Sequence, residues 1–105
     1  MIFEFFKKIN TKKRFERKVV RKIENMELKI ILDSTINSEI TISDEEFKKI
    51  AEIISEEKLK LSKNCGYFIA RRICNEVHSD EISLVDVEGS KDGKKWVIKL
   101  SNIPF

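Results

Sequence analysis

The apolar positions of this chain change period several times, and each change marks an element. Over residues 65–77, CGYFIARRICNEV, Gly66, Ile69, Ala70, Ile73 and Val77 recur at helical spacing, with Phe68, Arg71, Arg72 and Asn75 on the opposite side. Gly66 and Ala70 are small, so this face is suited to close packing. A second helix is predicted over 44–57, where Phe47, Ile50, Ala51 and Ile54 share a face. The segment SDEE marks its start. Ser43 as N-cap and Glu46 three residues later make a capping box, and Asp44 and Glu45 suit the positive end of the helix dipole.

Strict alternation replaces helical spacing elsewhere. ELKIILD (27–33) sets Leu28, Ile30 and Leu32 against Lys29, Ile31 and Asp33, and EITIS (39–43) directs Ile40 and Ile42 inward. The connection between them is short, so the two runs read as a hairpin. Residues 82–88 and 95–101 read as another, closed by the glycine-bounded loop GSKDG. Leu84, Trp96, Ile98 and Leu100 are expected on one face of it, and Val85, Val87 and Val97 on the other.

Two stretches near the N-terminus also show helical spacing. IFEFFKKI (2–9) groups Ile2, Phe5, Phe6 and Ile9; after a break at Asn10 and Thr11, Phe15, Val19, Ile23 and Met26 predict a helix over 12–25. Its other side is a stripe of Arg14, Arg17, Lys18 and Arg21. Like charges at that spacing repel by a few tenths of a kcal/mol per pair, so the stripe calls for an anionic counterpart.

The predicted architecture is α+β, one domain over 1–105 with a basic amphipathic helical segment (1–26) ahead of an α+β body (27–105). The body is a four-stranded, mainly antiparallel sheet in the order ββααββ, with two helices on one face. Ile31, Val85, Val87 and Val97 would occupy the other face, which is too apolar to leave in water. Either the basic N-terminal helix covers it or a second copy does, making a homodimer.

Composition narrows the function classes. A chain of 105 residues suits a single modest core, and 41% hydrophobic with 37% charged residues describes a globular protein rather than a disordered one. No apolar run approaches the roughly 20 residues of a membrane span, and the N-terminus lacks the apolar core of a secretory signal. Cys65 and Cys74 lie nine residues apart on one predicted helix. A separation of about 13 Å puts them beyond disulfide reach, so free thiols and a cytoplasmic location are expected.

The net charge of +3 is unevenly spread. Residues 1–24 hold nine basic side chains against Glu4, Glu16 and Glu24, a surplus of six, whereas the remaining 81 residues are net −3. This asymmetry points to an acidic partner for the N-terminal part, or to docking of that part on the chain's own acidic body.

Catalytic signatures are scarce. The three glycines make no phosphate-cradling loop, and GxSxG and HExxH motifs are absent. Cys74 and His78 have i, i+4 spacing, compatible with two metal ligands or a thiol–imidazole dyad, but no further ligand pair accompanies them. Phe5 and Phe6 followed by lysines suit a membrane interface only weakly, because one short amphipathic stretch anchors poorly.

The expected function is therefore that of a small, non-catalytic binding or regulatory protein needing no cofactor or metal. Arg14, Arg17, Lys18 and Arg21, extended by Phe68, Arg71 and Arg72, would dock an acidic macromolecule. That target is a protein partner, for instance one whose nucleic-acid-accepting groove a phage or mobile-element inhibitor occupies. The alternatives are direct DNA or RNA binding and, third, a small metal-dependent or thiol enzyme built on Cys74 and His78.

Overall fold

Val19, Val20 and Ile23 are β-branched, stiff at χ1 and well suited to a pleated surface. In the computed structural model, which describes residues 14–60, 63–77 and 82–103, they lie in a strand. This strand, β1 (Arg14–Ile23), turns through Glu24 and Asn25 into β2 (Met26–Thr35). The two pair antiparallel over their whole length, from Arg14 opposite Thr35 to Ile23 opposite Met26. The helix predicted over 12–25 is thus corrected for 14–23, and the segment belongs to the sheet rather than standing ahead of it. The helical pattern in 2–9 lies outside the described residues.

The reason is a degeneracy of period. Phe15, Val19 and Ile23 are four apart, a spacing that keeps residues on one face of a helix and equally on one face of a strand. A ten-residue partner reached through a two-residue turn decides between them. Glu24 stands at φ 55° and is the only non-glycine residue with positive φ among those described. Positive φ at the first turn position is a feature of the primed turns that close two-residue hairpins.

The chain continues through α1 (Asp44–Leu59), α2 (Cys65–Glu76), β3 (Leu84–Gly89) and β4 (Lys95–Ser101). Among the described residues four strands and two helices follow in the order ββααββ, and the spatial strand order is β1-β2-β4-β3. The sheet is mixed: both hairpins are antiparallel, but the central strands β2 and β4 run parallel. Residues 39–43, expected as a strand, form none. After an isolated Thr35–Ser38 bridge, Ile40 is buried and Ile42 packs against the core from irregular backbone.

The core lies between the helices and one sheet face. Leu28, Ile30 and Leu32 of β2 and Trp96, Ile98 and Leu100 of β4 meet Phe47, Ile50, Ile53 and Ile54 of α1 and Ile69 and Ile73 of α2. The capping box forms: Glu46 N–H donates to Ser43 Oγ (3.2 Å), and Ser43 N–H donates to Glu46 Oε1 (3.0 Å). The β3–β4 loop is pinned at Gly93 O, which accepts from Trp96 Nε1 (2.9 Å) and Lys58 Nζ (2.8 Å).

Register corrects the predicted faces of the second hairpin. Gly89 pairs with Trp96, Val87 with Ile98 and Val85 with Leu100, so Val85 and Val87 share the core face and pack on it, while Leu84 takes the opposite one.

Candidate interaction surface

Among the described residues no helix packs on the face away from α1 and α2, whose residues are exposed or half-buried except Asp33 and Ser101, and pairing register gives its layout. Lys22, Glu27 and Lys95 form one row across the strands; Val20, Lys29, Val97 and Glu88 form the next. Lys18, Ile31, Lys99 and Asp86 follow, then Glu16, Asp33, Ser101 and Leu84. Ile31 therefore lies between Lys18 and Lys99, and Val97 between Lys29 and Glu88. The homodimer expected through Ile31, Val85, Val87 and Val97 loses its basis, because two of the four valine and isoleucine positions serve the core. What remains is a face of paired opposite charges, including Lys18 Nζ to Glu16 Oε1 (3.6 Å) and Lys99 Nζ to the buried Asp33 Oδ2 (3.8 Å).

Strand parity also splits the basic stripe. Lys18 belongs to the open face, Arg17 and Arg21 to the helix side; the side chain of Arg14 lies outside the described part. Arg21 Nη1 lies 2.6 Å from Asp44 Oδ1, and its Cζ sits 4.8 Å from the centroid of the Phe47 ring. This arginine clamps β1 to the first turn of α1. Arg17 is exposed and has no ion pair among the described residues. Lys22, which the helical reading left out of the stripe, takes an open-face position next to Val20.

The remaining expected binders are on α2. Arg72 is engaged by the body's own carboxylates: Nη1 contacts Glu56 Oε2 (2.6 Å) and Glu57 Oε2 (3.3 Å), and Nε contacts Glu76 Oε2 (2.8 Å). These bonds hold its guanidinium protonated well beyond the usual range, and it joins α1 to α2. Phe68 is partly exposed and meets Tyr67 edge-on at 5.6 Å, and Arg71 is exposed nearby. Since α2 packs on β3, these residues lie across the sheet from β1. Three strand spacings, about 14 Å, separate the two edges. The structure therefore does not bring the seven expected residues into one surface.

The signal that would have found the real layout is parity. Read two by two, RFERKVVRKI places Phe15, Val19 and Ile23 inward with Arg17 and Arg21 between them, and Lys18, Val20 and Lys22 outward.

An open groove of about 950 Å³ runs between the β1–β2 turn, α1 and the β3–β4 loop. Lys48, Lys58 and Lys94 line it together with Glu24, Glu52, Glu56 and Asp92, so the two signs are interspersed. Both cysteines are free thiols, and burial, followed by the charge of Glu57, pushes the Cys65 thiol up, away from nucleophilic character. His78 lies outside the described residues, and among those described no group of three or more His, Cys, Asp and Glu side chains is placed to hold a metal ion. Nor is any described helix long and apolar enough to cross a membrane.

No known protein family, curated protein or solved structure matches this chain. Fold and surface are what bear on its function.

Proposed function

We propose that this is a non-catalytic binding protein that docks an acidic protein partner through β1. One observation carries the reading: an edge strand, at the border of the sheet, bears Arg14, Arg17, Lys18 and Lys22, besides the Arg21 paired with Asp44, against the single acid Glu16. Charge draws the partner in. Phe15, 40% exposed, and Val20, 53% exposed, then offer apolar area between the charges.

Direct DNA or RNA binding is the second reading, and the lysines at 18, 22, 29, 95 and 99 of the open face favour it. Glu16, Glu27, Asp86 and Glu88 interrupt those lysines and would repel a phosphate backbone tracking across the sheet. An inhibitor filling a partner's nucleic-acid-accepting groove fits less well. Such a groove is itself cationic, and β1 would meet like charge there.

Capture experiments separate these readings. A tagged full-length chain is expected to retain a discrete protein after nuclease treatment and to release it as salt rises. The double variant Arg17→Glu, Lys18→Glu, shown by circular dichroism to be folded, should lose it. Retention by that variant, or capture of nuclease-sensitive polyanions alone, overturns the proposal.

A further inference from the structure

The outer edge of β1 has a backbone as well as a charge. Among the described residues no strand pairs with that edge. In a hairpin closed by two residues, the flanking pair, here Ile23 and Met26, exchanges both main-chain hydrogen bonds. Odd-numbered residues of β1 then aim their N–H and C=O groups at β2. Ser34 Oγ donating to Phe15 O at 3.5 Å agrees with this parity. The even-numbered residues Glu16, Lys18, Val20 and Lys22 therefore direct theirs outward. Ten residues give a free ladder about 33 Å long.

We infer that β1 binds its partner by strand addition: an extended segment of a partner protein, with acidic and β-branched residues in alternation, joins the sheet along this outer edge. The inference rests on the proposed docking through β1 and specifies how it is done. Incoming acids would stand on the open face beside Lys18 and Lys22, and incoming valines on the helix side beside Phe15 and Val19, with the main chain supplying affinity and the side chains selectivity.

Charge selects the occupant. Two copies of β1 meeting edge to edge would bring two strongly basic strands together, so an isologous dimer is repelled; edge lysines commonly serve that end. The chain's own residues 1–13 carry Lys7, Lys8, Lys12 and Lys13 against Glu4 and are no charge complement. The opposite edge, β3, carries Asp86 and Glu88. Pairing β3 of one copy with β1 of the next is heterologous, and along the edges of an open sheet it would extend the sheet from copy to copy. A segment of another protein meets the same charge requirement in a closed complex.

The test uses the full chain and a synthetic peptide of four Glu-Val repeats. Saturable binding is expected, with slowed amide exchange at Lys18, Val20 and Lys22. The same peptide N-methylated at the residues facing β1 keeps its charge but cannot donate, and should bind at least about tenfold more weakly. Val20→Pro removes one outward N–H at an edge position where proline is tolerated, and should weaken the unmodified peptide by about tenfold. Equal binding of both peptides overturns strand addition while leaving electrostatic docking through β1 in place. Binding of neither overturns both. Sedimentation showing open-ended growth of the chain alone, reversed by Asp86→Lys, would make β3 of another copy the occupant and overturn the inference.

Discussion

Arg21 of β1 and Asp44 at the first turn of α1 form an ion pair of 2.6 Å that ties the edge strand to the helix layer. The same guanidinium lies over the ring of Phe47, a core residue. A side chain expected from its spacing to meet a partner instead holds the fold. Both charges are partly exposed, so the pair contributes about 0.5–1 kcal/mol and the ring contact a similar amount. Arg21→Ala should therefore destabilise by about 1 kcal/mol, a loss of roughly 4–8 °C in Tm for a domain of this size. A double-mutant cycle with Asp44→Asn should return a coupling of about 0.5 kcal/mol at low salt, shrinking as salt is raised.

The β1–β2 turn offers a stabilising substitution. Glu24 occupies a left-handed conformation that costs a side-chain-bearing residue about 1–2 kcal/mol and glycine almost nothing. Glycine also loses more freedom on folding, which returns part of that gain. Glu24→Gly is expected to stabilise by about 0.5–1 kcal/mol, read as a shift of the denaturant midpoint with unchanged slope. No gain would mean that the turn relaxes around Glu24 at little cost.

How much of this was legible depends on which signal each element carried. The segment around α1 had a capping box and a clean apolar face, and its geometry follows them closely. Leu28, Ile30 and Leu32 alternate without ambiguity, and β2 forms around them. Residues 14–23 carried a four-residue spacing that two periods share. Only the long-range partner resolved it, and with it went the arginine stripe. EITIS alternates, yet Ile40 and Ile42 are used as core anchors without a ladder. Parity in β3 was set by the pairing of Gly89 with Trp96, which composition does not reveal. Arg72 looked like a free cation because its partners Glu56 and Glu57 belong to another helix.

The Gly89–Trp96 pair predicts a sharp steric limit. A Cβ at Gly89 would lie 2.7 Å from the indole ring, well inside contact distance. The ring is not free to swing away, since its Nε1–H is bonded to Gly93 O. Gly89→Ala should cost about 1–3 kcal/mol, typical of overpacking. Tryptophan fluorescence should shift to the red as the indole leaves its buried position. An unchanged spectrum with full stability would show that β3 moves aside instead.

The cluster at the α1–α2 crossing gives stability a defined dependence on pH. Glu57 is only 4% exposed, and its hydrogen bond from Lys60 Nζ (2.9 Å), joined by Arg72, holds its carboxyl below the usual value of 4.5 despite burial. Glu76 is held below 4.5 in the same way, chiefly by Arg72 and then by Lys49. Depressed folded-state values mean that the unfolded chain takes up protons first as pH falls. The stabilisation is complete above about pH 5, where both states are ionised, and is lost as pH drops through the folded-state values. Thermal melts should be flat in this contribution from pH 5 to 8 and decline below pH 4.5. Arg72→Met removes the shared cation while keeping the aliphatic stem. It should lower Tm markedly at pH 7, where Glu57 and Glu76 lose the cation that favours their ionised form, and less at low pH, once these carboxylates have taken up protons. Equal losses at the two pH values would mean that the stem's packing, and not its charge, holds the helices together.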